Sequence, residues 1–393
     1  MTEIDIVGGI YKEKCAFPYW NQLVGSGGRA AMALSGLIDR IRLHSTLSSD
    51  EELTAQAIFE PLGVDLHLQS RAFAIEFDYL HTLAVPTITP WPPSPVQLPG
   101  VTGDVIIKFG MMECDPRISA KYAIYDPQSA FKPLTFSNSG SRADHLAVVA
   151  NRGEILRMAQ SDSVEDAVKS ILASESTEVI VVKDGINGAT VYAEGSSRHI
   201  PAFKTQNVFA LGSGDVFVAA FALAWAINGL SPFDAALFAS QSTADYVESL
   251  KLPVKAPDLA ATGREVACKT GGRIYLAGPF RETGQRMFID DARSQLQALG
   301  MSVFSPIHDI GPGSAEVVVQ HDLAAVRQCD AVFAILNGSS PGTVFEVGYA
   351  RALEKPVFCV AQNMRDVDVK LPKGSGAYLH SDYVSALFQI AWR

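Results

Sequence analysis

The stretch Asp330–Glu354, DAVFAILNGSSPGTVFEVGYARALE, sets the fold of the last third of the chain. Its apolar run Ala331–Leu336 has strand length, the segment Asn337–Gly342 has turn composition, and Val344, Val347, Ala350 and Arg351 follow at helical spacing. A strand, a Gly/Ser turn and a helix in that order form half of a βαβ unit. Ligands of open α/β sheets bind at the carboxyl ends of strands, where helix starts present free N–H groups. The spacing places Glu346 in the first turn of the helix, where a negative charge is favoured. Upstream, RIYLAGPFRETGQ (Arg273–Gln285) repeats the order of strand, Gly-Pro turn and polar loop. Between them QHDLAAVRQCD puts Asp322 at the start of an amphipathic helix leading back into the strand.

In the first two-thirds of the chain, short strands alternate with helices. Strands are expected at Ile4–Val7, Val105–Phe109, Tyr122–Tyr125, Leu146–Ala150 and Val179–Lys183. Helices are expected from about Arg29, over Ser48–Leu62 and over Ser163–Leu172, and the order describes a doubly wound α/β domain. The segment Val85–Gly100 carries six prolines and reads as a rigid extended loop, a surface crossing or a lid. At Ala210–Ala226, ALGSGDVFVAAFALAWA, the turn Gly212-Ser213-Gly214 enters an apolar helix with Asp215 in its first turn. Backbone N–H groups there suit an anion, and Asp215 suits a general base.

The 393 residues allow two or three domains, with 48% hydrophobic residues ample for buried cores. We place an N-terminal domain at 1–250, a linker at 251–272 and a smaller C-terminal domain at 273–393, ending in a helix over Ser381–Trp392. A net charge of −10 offers no electrostatic footprint for nucleic acid or an anionic membrane. The cysteines Cys15, Cys114, Cys268, Cys329 and Cys359 are scattered, without CxxC or Cys/His spacing. They read as reduced thiols of a cytoplasmic protein, and Glu3 and Asp5 interrupt any signal peptide. The longest apolar run, Val216–Ile227, is too short to cross a bilayer and reads as a buried helix.

Three motifs in register, YLAGPF at Tyr275–Phe280, the HDL aspartate Asp322 and GTxxExGxA at Gly342–Ala350, resemble the nucleoside 2-deoxyribosyltransferases and their relatives that hydrolyse nucleoside 5′-monophosphates. The resemblance covers about Arg273–Val360 and implies a Rossmann-like (flavodoxin-like) domain. It implies Glu346 as the nucleophile at the anomeric carbon, Asp322 as the acid handling the leaving base, and Tyr275 as the phenol beside the nucleophile. Arg281 and Ser340 fall where the monophosphate hydrolases place phosphate ligands, with Gly278 and Gly342 in the same loops. Ser340 stands where the nucleoside-type transferases carry Asp, and Pro279 where the monophosphate branch carries Ser. No cofactor is implied for this domain. A neighbouring subunit completes the sugar site in that family, so a homo-oligomer is expected, with Asn363–Arg365 or Gly374–Gly376 as the contributing loop.

The GSGD motif with its apolar helix resembles the GAGD signature of the PfkB (ribokinase-like) kinases, over about Ile4–Leu250. Gly27-Gly28 match the N-terminal double glycine, and Asp126–Gln128 the DPN element. Asn151 and Glu154 match the NxxE pair near Mg²⁺ and phosphate, and Val181–Ala189, with Lys183 and Gly185, the turn at the nucleotide site. The resemblance implies a ribokinase-like fold and ATP with Mg²⁺ as cofactors. Gly212, Ser213 and Gly214 would hold the transferred phosphoryl, Asp215 would be the base, and Mg-ATP would lie near Glu154 without direct protein ligands to the metal. Phe209-Ala210 replace the family's Asp-Thr, Met32 replaces an Asn, and no Asp follows the first strand. Two functions follow as expectations: a nucleotide-metabolising enzyme with an N-glycosidase and a sugar or nucleoside kinase, or a nucleotide-sensing regulatory or defence protein whose kinase-like domain is not catalytic.

Overall fold

The computed structural model describes residues 2–129, 132–257, 263–268, 270–311 and 313–393. The chain forms two compact units, one of residues up to Thr205 with Phe209–Ala267, the other of Gln206–Val208 with Cys268–Arg393. Residues 258–262 and 269 of the expected linker lie outside the described residues. Val266 bridges to Phe203, so the expected linker up to Ala267 belongs with the first unit and its last residues, from Cys268, with the second. Among the described residues no helix is long and apolar enough to cross a membrane.

The first unit is built on a nine-stranded sheet. From one edge to the other its strands are Ser196–Ile200, Ala189–Ala193, Val179–Lys183, Arg142–Asn151, Ile118–Asp126, Val101–Phe109, Glu3–Val7, Arg40–Ser48 and Val64–Arg71. The seven from Val179–Lys183 onward pair in parallel, and the last hairpin is antiparallel. Val105–Ile107, Ala147–Ala150 and Val179–Val182 are unbroken buried apolar runs, as strands covered on both faces require. A second, four-stranded sheet joins Trp20–Leu23, Lys12–Cys15, Glu76–Tyr79 and Thr87–Thr89. The proline-rich segment therefore supplies a strand, Thr87–Thr89, and is not loop throughout. The helix expected from Arg29 begins at Gly25, so the double glycine lies inside its first turns. There Gly27 touches the backbone of Gly8, 2.7 Å from where a Cβ would stand, and Gly28 lies under the Phe59 ring.

The second unit carries a five-stranded parallel sheet in the order Ser302–Phe304, Arg273–Ala277, Ala331–Ile335, Val357–Val360, Tyr378–His380. In chain order this is 2-1-3-4-5, the flavodoxin-like winding. Its first and third strands lie side by side while their connections leave in opposite directions, which opens a crevice at their carboxyl ends. The helix Thr283–Ala298 starts on a capping box between Glu282 and Gln285. The helix Pro341–Ala352 starts with proline at its first position, where the missing N–H costs nothing. Asp382 caps the final helix, Tyr383–Ala391, by accepting from the Ser385 N–H.

Candidate functional site

The crevice of the second unit brings Tyr275 and Glu346 together. Tyr275 belongs to the strand Arg273–Ala277, is fully buried, and stacks on Phe304 with ring centroids 5.7 Å apart. Its hydroxyl donates to Glu346 Oε1 at 2.7 Å. Glu346 is the sixth residue of the helix Pro341–Ala352, in the second turn and not the first. The helix begins one residue after Ser340, so the carboxylate is no cap: its partner is the phenol of a neighbouring strand. Burial pushes the Glu346 carboxyl up to about 7; the Tyr275 bond opposes that shift and the charge of Asp322 adds to it. The same pair, with burial foremost, raises the Tyr275 phenol, so it stays a donor.

Asp322 lies in the middle of the helix Ala315–Gln328 and not at its start. Burial raises its carboxyl to about 6, against the pull of His321. Its Oδ1 is buried and has no hydrogen-bond partner among the described residues. An acid of that strength with an unspent oxygen is suited to exchange a proton with a bound group. Arg281 is exposed in the loop after the strand Arg273–Ala277, and among the described residues only its backbone N–H is used, donating to Gln285 Oε1 at 3.2 Å. Ser340 is the residue before the helix Pro341–Ala352, with its hydroxyl unused as a cap, and Gly342 is exposed in the first turn. Gly278 is a packing glycine, since a Cβ there would meet Ile289 Cδ1 at 2.5 Å. Asn337, which the sequence reading placed only in a turn, clamps the loop: its side chain donates to Gln362 Oε1 and accepts from the Gln362 N–H.

In the first unit the expected residues also converge, but on one another. Asn151 and Glu154 form a capping box on the helix Arg152–Ala159, each bonding the other's backbone N–H at 2.8–2.9 Å. Lys183 reaches Asp126 Oδ2 at 2.7 Å. Burial, with Asp215 nearby, raises the Asp126 carboxyl in spite of Lys183. Burial opposes the Lys183 charge, yet Asp126 and Glu154 outweigh it and hold the ammonium above its usual value. Burial and the charge of Asp126 push Glu154 up to about 7. Gly185 has φ +52° with open space around it, a turn position, and Gly214 lies against Lys183 Nζ.

Asp215 stands in the first turn of the helix Ser213–Ala222, as expected. Both of its oxygens are taken. Oδ1 accepts from Gln128 Nε2 at 2.6 Å and Oδ2 from Arg29 Nη1 at 2.8 Å. Arg29 and its other partner, Glu13, were not singled out from the sequence. The available signal was an arginine inside the apolar helix GSGGRAAMAL, which requires a buried counterion.

The ATP and Mg²⁺ implied by the ribokinase-like resemblance meet a centre whose cations are already paired. Lys183 is bound to Asp126, and Arg29 to Glu13 and Asp215. Among the described residues no group of three His, Cys, Asp or Glu side chains could hold a metal ion. A triphosphate bound here competes with Asp126 for the Lys183 ammonium.

Comparison with known proteins follows the same division. Residues 274–382 match the family profile of the nucleoside 2-deoxyribosyltransferases, and residues 123–251 that of the pfkB family carbohydrate kinases. The chain is thus a fusion of a PfkB-type kinase domain with a nucleoside 2-deoxyribosyltransferase domain. The 5-dehydro-2-deoxygluconokinases of Listeria monocytogenes serotype 4a (strain HCC23) and serotype 4b (strain F2365) are each 26% identical over 101 residues, 23% of this chain and 31% of theirs. The chain therefore spans about a third of the length of these curated relatives. Among solved structures, fructokinase from Vibrio cholerae O395, bound to fructose, ADP and calcium, aligns with a TM-score of 0.49 at 15% identity, over 63% of this chain and 94% of its own. Ribokinase from Thermotoga maritima aligns with a TM-score of 0.46 at 19% identity, over 64% and 94%.

The Glu154 carboxyl yields a prediction. Its folded value lies above the ordinary 4.5, so its contribution to stability is complete below about 4.5 and is lost as the pH rises through about 7. Glu154→Gln keeps the cap and removes the buried charge. Chemical denaturation should show it more stable than wild type at pH 8, by roughly 2 kcal/mol, with the gain vanishing near pH 4.5. A variant less stable than wild type at pH 8 contradicts this reading.

Proposed function

We propose that the second unit cleaves the N-glycosidic bond of a nucleoside 5′-monophosphate or nucleoside, of the ribo or deoxy series, with Glu346 as nucleophile. The observation that carries this reading is a carboxylate raised by burial to about 7 and held at 2.7 Å by a buried phenol. A carboxylate with no cation beside it gains most when positive charge develops opposite it, as it does at the anomeric carbon. Cleavage of an N-glycoside passes through such an oxocarbenium-like centre. A Glu346 oxygen bonds to C1′ as the C1′–N bond breaks, and the bond's electron pair leaves on the base. Asp322 gives that base its proton. Water then attacks C1′, returning a proton to Asp322 and freeing Glu346; a second base in place of water gives transfer. Tyr275 fixes which Glu346 oxygen faces the sugar and keeps that oxygen from rotating away.

The exposed Arg281 guanidinium and the Ser340 hydroxyl favour a 5′-phosphate on the substrate, because a guanidinium and a hydroxyl at a helix start bind phosphate oxygens well. Val317, Phe345 and Met287 leave apolar surface on three of the helices of this unit. That surface supports an assembly in which a second copy covers the crevice.

Glu346→Gln should abolish release of free base, since the amide keeps the shape without the anion. Chromatography of products from a panel of nucleosides and nucleotides checks this. Retention of more than about a tenth of the wild-type rate, barely ~1.4 kcal/mol of barrier, removes Glu346 from its role.

Arg281→Ala should weaken monophosphates selectively, by about 1.5–3 kcal/mol in kcat/KM, and leave nucleosides nearly unchanged. Equal losses on both substrate classes contradict a phosphate site at Arg281.

A further inference from the structure

Arg29 is only 1% exposed, and all of its guanidinium nitrogens are engaged. Nε donates to the Tyr246 hydroxyl at 3.1 Å, Nη1 to Glu13 Oε1 at 3.1 Å and to Asp215 Oδ2 at 2.8 Å, and Nη2 to Glu13 Oε2. The Tyr246 hydroxyl in turn donates to the Leu211 carbonyl at 3.0 Å, next to the GSGD turn. Gly212, the first residue of that turn, has φ +77°, and a Cβ on it would lie 2.1 Å from Arg29 Nε. The turn expected to cradle a phosphoryl group is thus packed against an internal guanidinium. Each oxygen of the expected base is engaged, Oδ1 by Gln128 and Oδ2 by the Arg29 guanidinium. Taking a proton would neutralise Asp215 and leave the buried guanidinium with one carboxylate fewer.

We propose that the buried Glu13–Arg29–Asp215 triad is an autoinhibitory contact in the kinase-like centre: Asp215 is the counterion of Arg29, not a base, and the first unit transfers no phosphoryl group to a hydroxyl acceptor. The role of Arg29 is to lock the site. The physical reason for its permanence is that a desolvated guanidinium stripped of one carboxylate is costly, whereas the triad with Tyr246 gives each of its three nitrogens at least one acceptor. The inference is independent of the glycosidase reading of the second unit, because each rests on different residues.

The test uses the full chain. Asp215→Asn should lower the midpoint of thermal unfolding by roughly 5 °C or more, because it strips Arg29 of a counterion. A poised base beside other carboxylates behaves oppositely: neutralising it leaves the midpoint unchanged or raises it, and that result overturns the proposal. The triple variant Glu13→Gln, Arg29→Met, Asp215→Asn removes all three charges and should return the midpoint close to wild type. A triple variant as unstable as Asp215→Asn alone also overturns it, since charge pairing would then not be what Asp215 supplies. In parallel, wild type with Mg-ATP and a panel of polyols and nucleosides should transfer no phosphate; any transfer that Asp215→Asn abolishes sinks the lock.

Discussion

The hydrogen bond from Tyr275 to Glu346 depends on the parallel pairing of two adjacent strands of the second unit, and through them on the winding of its whole sheet. Arg273–Ala277 and Ala331–Ile335 are buried on both faces and register Tyr275 against Val332. The chain then leaves the second of these strands through a turn clamped by Asn337 and Gln362, and Pro341 starts the next helix at one fixed residue. Glu346 arrives over the crevice because of that start. Its carboxylate has a neutral partner, and a neutral partner leaves the burial penalty largely uncompensated. The reactivity assigned to Glu346 is this residual penalty, relieved when a cationic centre forms beside it.

The two units make a controlled comparison within one chain. Each sets a carboxylate on a helix that starts near the carboxyl ends of parallel strands. In the second unit the partner is a phenol, one carboxylate oxygen is left open, and the group sits near neutrality. In the first, the partner is a buried guanidinium shared with Glu13, and each oxygen accepts a hydrogen bond. A phenol orients a carboxylate without neutralising it; a guanidinium does both. An acidic residue in a similar topological place therefore sits in opposite electrostatic surroundings in the two units.

Much of the fold was legible because both-face-buried strands read as unbroken apolar runs, as in Val179–Val182 and Ala331–Ile335. Strands with polar residues on one face escaped notice. Arg40–Ser48 interleaves Ile41 and Leu43 with Arg42 and His44, and Lys12–Cys15 is mostly charged. The residues of the second site were legible as motifs, but their helical positions were not: Ser340-Pro341 signalled the helix start and put Glu346 a turn later than first placed. Arg29 was hidden for a different reason. Its meaning depends on Glu13, which lies on a strand of the small sheet, and on Tyr246, far along the chain. Such pairings are set by tertiary packing and leave no local pattern.

The central claim is that Glu346 forms a covalent bond to the sugar. Rapid acid quenching of the full chain during turnover of a pooled set of nucleosides and nucleoside 5′-monophosphates, followed by peptide mass spectrometry, tests it most directly. The account predicts free base in solution and a pentosyl or pentosyl-phosphate adduct on the peptide that contains Glu346. Base release with the adduct on another residue, or no base release from any member of the pool, would contradict it.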